Sequence, residues 1–188
     1  DFDFGRYVAM RRGAIEQQHR DGAAYAYTGE RKFRRTLTAA RPVTMAIEVS
    51  SHALDQARVA GVAFDIAVFT NLTHDHLDYH GDMDAYAEAK ARLFDFPHLK
   101  AAVINQDDAF GRELIERLRG RTQVLSFGLQ GGDVQANAVQ TSTDGLSLRI
   151  ATPHGEVQLR SPLLGRFNAA NLLAVLAVLL AAGVPLAE

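Results

Sequence analysis

The sequence predicts an α/β fold, in which a mostly parallel sheet is flanked by helices and has a small antiparallel meander beside it. The first observation is that apolar runs typical of buried strands alternate with segments of helical period between residues 44 and 127. The second is that residues 133–160 contain short alternating runs separated by Asp144-Gly145 and His154-Gly155, as in hairpins. The third is an almost wholly apolar segment near the C-terminal end, which is typical of a buried helix.

The individual elements follow from local patterns along the chain. The predicted strands are residues 44–49, 65–70, 101–105 and 123–127, followed by the meander runs 134–140, 146–151 and 157–160. Between the third and fourth strands, Asp107 is expected to cap a helix that Gly120 ends. The closing helix is expected from about Asn168 to Ala182, where Gly183 stops it.

Residues 1–43 are the least informative part of the chain. Arg and Lys cluster there without a sustained apolar period, which predicts a solvated or poorly ordered segment. We therefore divide the chain into an unassigned segment, residues 1–43, and a domain over residues 44–188.

Composition and charge exclude several classes of protein. The 188 residues are enough for one domain, or for one domain and a fragment. A net charge of −2 gives no basic field for nucleic acid, and the absence of Cys excludes disulfides and cysteine nucleophiles. The longest apolar run, Leu172 to Ala182, is too short to span a membrane, and no signal peptide opens the chain. We therefore expect a cytoplasmic protein.

Lys90 lies on the apolar face of a helix predicted over Met83 to Phe94. At 100° per residue it falls within about 60° of most of the apolar side chains, while Glu88 and Arg92 form an i,i+4 pair on the opposite side. A lysine that lays its stem on the core and keeps its charge in water is the structural alternative. We favour a functional lysine, because the chain has 17 Arg and only 3 Lys and because an amine can be deprotonated for chemistry.

A histidine-rich loop follows the second predicted strand, at the end where α/β sheets bind ligands. The segment His74–His80 holds three of the seven histidines and two aspartates. Imidazole and carboxylate together suit a divalent metal, whereas a polar loop with local hydrogen bonds is the alternative. One metal interpretation is a hydrolase similar to the metallo-β-lactamases. Tyr79 places His80 out of register for that motif, and His154 is the distant candidate for a further ligand.

Four segments in matching order resemble the central, ATP-binding domain of the Mur ligases, the amide-forming enzymes of peptidoglycan synthesis. The segments are EVSSHALDQARV at 48–59, FTNLTHDHLDYHGDM at 69–83, AYAEAKARLF at 85–94 and LGRFNAANLL at 164–173. The first is most similar to the members that add the third residue of the stem peptide. The resemblance covers about residues 44–188 and implies a domain related to the P-loop NTPases.

The resemblance also implies a role for individual positions. Glu48 and His76 match magnesium ligands at the ends of adjacent strands, and Lys90 matches a lysine carried as a carbamate that supports the metal. The implied substrate-binding residues are Ser50, Gln56 and Arg58, and the implied nucleotide-binding residues are Asn71, Asn168 and Asn171.

The implied reaction transfers the γ-phosphoryl group of ATP to a carboxylate of UDP-MurNAc-L-Ala-D-Glu. The amine of meso-diaminopimelate or L-lysine then attacks the acyl phosphate, forms the amide and expels phosphate. Mg²⁺ and cationic groups neutralise the charge that develops. We expect a monomer whose partners are these small molecules and Mg²⁺, with no nucleic acid and no membrane.

The chain departs from the family pattern at the phosphate loop. The family holds ATP phosphates with a glycine-rich loop that ends in Gly-Lys-Thr, but the lysines here follow Arg31, Ala89 and Leu99. The family's N-terminal uridine-binding domain and C-terminal domain are also missing. We therefore expect a fragment that is inactive alone. The alternatives are a binding remnant without catalysis and the metallo-hydrolase.

Overall fold

A computed structural model describes residues 7–12, 44–73 and 77–186 of the chain. The strands are β1 (Tyr7–Arg12), β2 (Thr44–Val49), β3 (Ile66–Phe69), β4 (Ala101–Asn105), β5 (Gln123–Gly128), β6 (Val134–Ser142), β7 (Gly145–Thr152) and β8 (Gly155–Ser161). The helices are α1 (Ser51–Asp55), α2 (Leu77–His80), α3 (Met83–Ala91), α4 (Ala109–Leu118) and α5 (Arg166–Ala181), and a 3₁₀ turn at Arg92–Asp95 follows α3.

The described strands form one sheet in the order β2-β1-β3-β4-β5-β6-β7-β8. Pairing is parallel from β3 to β6 and antiparallel at both sides of this core. The predicted α/β fold with a parallel sheet, flanking helices and an antiparallel meander is confirmed. The meander, however, continues the main sheet, because Val134 and Gln135 at the start of β6 pair in parallel with the end of β5.

β1 was missed by the sequence analysis and changes the neighbours of β2. Residues 7–12 fell in a segment predicted to be solvated, yet they pair antiparallel with both β2 and β3. The expectation that β2 and β3 are adjacent is therefore wrong, because β1 takes the hydrogen-bonding positions between them. The six residues of β1 mix apolar and basic side chains and show neither regular alternation nor an apolar run over their full length, so they are not recognised as a strand. The remainder of residues 1–43 lies outside the described part of the chain.

Each central strand is buried on both faces, which explains its continuous apolar sequence. Phe69 and Ile104 point to one cluster, which α3 and α4 cover. Val68 and Val103 point to the opposite cluster, which α5 covers. The sheet is therefore the middle layer of three.

Helix boundaries differ from the predictions at three places, of which the smallest is the closing helix, predicted over about Asn168 to Ala182 and observed as α5. Asp108, and not Asp107, caps α4, since its Oδ1 accepts from the backbone N–H groups of Phe110 and Gly111. Asp107 instead accepts from the backbone of Leu129, after β5. The helix predicted over 83–94 is α3 followed by the 3₁₀ turn. Within the described residues, no helix combines the length and apolar character that crossing a membrane requires.

Candidate active site at the carboxyl edge of the sheet

The predicted site residues follow the ends of strands that run in one direction. β2 and β3 both run antiparallel to β1, so their carboxyl ends lie at the same edge of the sheet, which we name the carboxyl edge. Glu48 is exposed near the end of β2, and Ser50 follows it at the start of α1. Asn71 follows β3 at the same edge. This edge is where open α/β sheets bind ligands.

Lys90 is the buried cation at this edge. Its residue is 1% exposed, which confirms its predicted place on the apolar face of α3. Nζ donates a hydrogen bond to the backbone oxygen of Asn71 at 3.2 Å and lies 4.6 Å from the ring centroid of Tyr86. The carbonyl dipole and the ring face both favour positive charge. A fully buried lysine is rare in proteins, and this burial argues against the alternative in which the Lys90 charge stays in water.

The loop after β3 is braced by residues that the sequence analysis did not single out for function. Asn105 Nδ2 donates to the backbone oxygen of Thr70 at 2.7 Å, and Asp108 Oδ2 accepts from the backbone N–H of Leu72 at 2.9 Å. Both lie where β4 ends and α4 begins, so the neighbouring strand fixes the backbone on either side of Asn71. Asn71 Oδ1 is buried and has no hydrogen-bond partner among the described residues. It belongs to the same residue whose backbone oxygen accepts from the Lys90 amine.

Ser50, Gln56 and Arg58 are brought together by the short helix α1. Ser50 caps the helix, with its Oγ accepting from the backbone N–H of Ala53 at 3.2 Å. Gln56 is the C-cap, and Ala57 has a φ of 53°, so the chain turns back before Arg58. The Arg58 N–H then donates to the oxygen of Ala53, which closes a Schellman turn. Gln56 and Arg58 are both exposed.

The histidine-rich loop divides into two parts. His74, Asp75 and His76 lie outside the described residues, so the predicted ligand His76 is not placed. His80, at the end of α2, has its Nε2 2.9 Å from Ser51 Oγ and stacks on Tyr86 with ring centroids 5.2 Å apart. Over the described part of the chain, no three His, Asp or Glu side chains converge as they would around a metal ion.

His154 does not join this loop. It lies in the turn between β7 and β8, which is at the edge opposite the carboxyl edge because β7 runs antiparallel to β6. Four strand positions also separate β7 from β3, or about 19 Å at the usual strand spacing. The fold therefore gives no support to His154 as a partner of the loop.

The two asparagines of α5 lie at the carboxyl edge, in the first turns of the helix. Asn168 Nδ2 donates to the backbone oxygen of Leu164 at 2.8 Å, and Asn171 Nδ2 donates to Asn168 Oδ1 at 3.2 Å. Helix α5 begins at Arg166, soon after β8 ends, and β8 runs in the direction of β6. The fold thus places both amides on the edge that holds Lys90.

Asp55 supplies a charged group beside Gln56. The hydrogen bond from Tyr79 lowers the pKa of Asp55 below its usual value, partial burial opposes this, and the Arg92 guanidinium lowers the pKa further. Arg92 forms an ion pair with Asp55 at 2.8 Å, and Glu88 forms one with Arg117 at 2.6 Å. The predicted Glu88–Arg92 pair is replaced by these partners from other elements.

Residues 22–179 match the Mur ligase middle domain. The chain belongs to this family. The match confirms the resemblance seen in the sequence, and it includes every predicted site residue of the Mur ligase pattern. It begins before residue 44, and the division of the chain at residue 43 stays a prediction.

Several Mur ligases are similar to this chain over most of its length. The UDP-N-acetylmuramoyl-L-alanyl-D-glutamate–2,6-diaminopimelate ligase of Chromobacterium violaceum is 57% identical over 150 residues, which cover 79% of this chain and 30% of that protein. The ligase of the same name from Pseudomonas aeruginosa is 51% identical over 158 residues, covering 81% of this chain and 32% of that protein. The chain therefore spans less than a third of the length of these relatives.

Solved structures support the Mur ligase fold. A UDP-N-acetylmuramoyl-L-alanyl-D-glutamate–2,6-diaminopimelate ligase aligns with a TM-score of 0.67 and 41% identity, over 72% of this chain and 28% of that one. A pseudomurein peptide ligase type C from Methanothermus fervidus aligns with a TM-score of 0.59 at 15% identity, over 73% of this chain and 35% of that one, and shows the likeness of fold alone.

Proposed function

We propose that this chain is the middle part of an ATP-dependent, ADP-forming ligase that joins 2,6-diaminopimelate to UDP-MurNAc-L-Ala-D-Glu. The observation that carries the proposal is its 57% identity, over 150 residues, to a ligase named for these substrates. That name favours diaminopimelate over L-lysine as the third residue. The enzyme would act in the cytoplasm, as a monomer, in the synthesis of the cell wall.

Lys90 is proposed to carry a carbamate. Its amine would attack carbon dioxide, forming an N–C bond and releasing two protons from the ammonium form. The product places anionic oxygen at the end of a side chain that is 1% exposed. The lone oxygen acceptor of Asn71, which has no described hydrogen-bond partner, supports a cation or a proton donor at this place.

Two of the three implied ligands, the carboxylate of Glu48 and the carbamate on Lys90, would offer the oxygen atoms that Mg²⁺ prefers, and His76 would add a nitrogen. Glu48, His76 and the carbamate on Lys90 would hold it, as the family resemblance implies. When bound, Mg²⁺ would neutralise the negative charge of the transferring phosphoryl group. The chain itself contributes the buried amine, the exposed carboxylate of Glu48 and the braced loop that fixes Asn71.

The substrate would lie along α1. Ser50 Oγ already accepts from a backbone N–H, so its own proton is available for a ligand oxygen. Gln56 and Arg58 would add an amide and a guanidinium from the same turn, and a guanidinium suits a carboxylate or a phosphate. Asn71, Asn168 and Asn171 would line the nucleotide part of the site.

The chemistry proposed for the complete enzyme has two steps. The side-chain carboxylate of the D-glutamate attacks the γ-phosphorus of ATP, and ADP leaves. The amine of diaminopimelate then attacks the acyl phosphate carbon, its nitrogen loses a proton as the amide forms, and inorganic phosphate leaves with the electron pair of the broken C–O bond and takes up that proton. Residues of this chain hold the two reactants in line and exclude water from Lys90.

A binding remnant without catalysis is the second candidate, because the sequence has no Gly-Lys pair with which to hold ATP phosphates. A chimaera decides between the two. The aligned segment of this chain replaces its counterpart in the Chromobacterium violaceum ligase, and ADP release with all substrates is measured. The ligase proposal expects diaminopimelate-dependent ADP release, which is lost in the Lys90→Ala chimaera. A folded chimaera that binds UDP-MurNAc-L-Ala-D-Glu without releasing ADP would instead establish the binding remnant.

The carbamate has a separate spectroscopic test on the chain itself. In ¹³C-bicarbonate, the chain should show a single carbamate carbonyl resonance that Lys90→Arg removes. Lys100→Arg is the matched control, because that lysine is exposed and paired with Asp65 at 2.8 Å. A resonance that survives Lys90→Arg, or no resonance at any bicarbonate concentration, contradicts the assignment.

A further inference from the structure

A series of four hydrogen-bonded polar side chains links the turn after α1, which carries Gln56, to α2 and to the 3₁₀ turn. Gln56 Nε2 donates to the Tyr79 hydroxyl at 3.0 Å, and that hydroxyl donates to Asp55 Oδ2 at 2.9 Å. Arg92 donates to the other carboxylate oxygen, Oδ1, at 2.8 Å. The ring of His52 packs against Tyr79 with centroids 4.0 Å apart, which holds the phenol in place. We name Asp55, Tyr79 and Arg92 the relay.

The negative charge of the Asp55 carboxylate sets the direction of every hydrogen bond among these four side chains. An ionised carboxylate has only acceptors and a guanidinium has only donors, so Asp55 accepts from both neighbours. Tyr79 has a single O–H proton, and Asp55 takes it. The phenol oxygen can then only accept, so Gln56 must present its NH₂ group to Tyr79. The two ends of a carboxamide point apart, which leaves Gln56 Oε1 turned away from the relay.

We propose that the relay is a positioning device that presents Gln56 to the ligand as a hydrogen-bond acceptor, so that this residue selects a donor such as an amide N–H. The inference rests on the proposed function, in which Gln56 contacts UDP-MurNAc-L-Ala-D-Glu. In this inference, Arg58 and Gln56 bind different groups of the ligand. Arg58 takes an anionic group, and Gln56 takes the N–H of a peptide bond beside that group. An N-acylated amino acid carries both features, as the dipeptide does.

The relay is tested without ligand by the side-chain amide signal of Gln56. In ¹⁵N-labelled chain, Gln56→Glu identifies this signal by its loss. The signal should shift as Asp55 is protonated at low pH, and in Tyr79→Phe or Asp55→Asn it should move and lose this pH dependence. Tyr79→Phe keeps the ring that packs on His52, so the fold is retained. Asp144→Asn, an exposed acid in the turn between β6 and β7, is the control that should change nothing.

The selection of a donor is tested by calorimetry with two ligands. One is UDP-MurNAc-L-Ala-D-Glu, and the other is the same molecule methylated on the nitrogen of the Ala–Glu amide. The wild-type chain should bind the first about tenfold more tightly, and Tyr79→Phe should lose most of that preference. Equal preference in the wild type and Tyr79→Phe overturns the inference. If the wild type binds neither ligand, the substrate assigned in the proposed function is wrong, and so is the proposed selection by Gln56. The amide signal of Gln56 then still decides whether the relay exists.

Discussion

Gly111→Ala should destabilise the chain strongly, although alanine is the better helix former. Gly111 lies in the first turn of α4, against the end of β4. A Cβ at this position would lie 1.9 Å from the backbone oxygen of Asn105 and 3.2 Å from a ring carbon of Phe69. Because the nearest atom belongs to the backbone, no side-chain rotation relieves the contact. Helix α4 would have to move away from β4 by about 1 Å or more.

The cost can be estimated from three contributions. Overpacking against a rigid neighbour costs about 1–3 kcal/mol, and here the upper part of that range applies. The same shift weakens the Asp108 cap, which accepts from the N–H groups of Phe110 and Gly111 and is worth about 1 kcal/mol. Helix propensity returns about 1 kcal/mol. The net loss is about 2–3 kcal/mol, or about 5–10 °C in Tm for a chain of this size.

Urea and thermal unfolding followed by circular dichroism measure this loss, with Gly61→Ala as the matched control. A Cβ at Gly61 would meet no atom within 4 Å. That variant should therefore be neutral or more stable by up to about 1 kcal/mol. Equal stability of the two variants would show that the contact between α4 and β4 is not as close as the structure gives, and would refute the reasoning.

Three further predictions concern single groups. Ala57→Gly should raise the free energy of unfolding by about 1 kcal/mol, because Ala57 has a φ of 53°, and thermal unfolding measures it. Asp82→Ala should lower it by about 1 kcal/mol, since Asp82 Oδ1 accepts from the Ala85 N–H at 2.8 Å and caps α3. Tyr79 lowers the pKa of Asp55, so Asp55 adds stability above about pH 4 that is lost as the pH falls through the lowered value. Urea unfolding from pH 2 to 6 should show a smaller acid loss in Asp55→Asn, and an unchanged profile contradicts this.

The parts of the fold that could be predicted are those with a strong local signal. The central strands are apolar because both faces are covered, so each one shows in the sequence as a continuous apolar run. The position of Lys90 on an apolar face could be predicted because the apolar residues of its helix recur at the usual helical spacing. β1 could not be predicted, because its pairing with β2 and β3 depends on residues more than thirty positions away.

The supporting residues of the site were missed for the same reason. Arg92 has an acidic neighbour four residues before it, and the sequence favoured that local pair. The structure instead joins it to Asp55, 37 positions away, because α1 and the 3₁₀ turn are packed together. Asn105 looked only like the end of a strand, and Asp108 was passed over because Asp107 was predicted as the helix cap. Their contacts with the loop after β3 appear only once the parallel pairing of β3 and β4 is known.

The backbone that contacts Lys90 at the carboxyl edge is held by side chains from the end of β4 and the start of α4. Lys90 Nζ bonds to the oxygen of Asn71, and the peptide groups on both sides of Asn71 are held by Asn105 and Asp108. Gly111 touches this brace directly, because its missing Cβ makes room for the oxygen of Asn105. A helix pushed away at Gly111 would move Asp108, release the Leu72 N–H and loosen the carbonyl that faces the amine. Stability and the Lys90 environment should thus change together in that variant, although Gly111 itself contacts no predicted ligand.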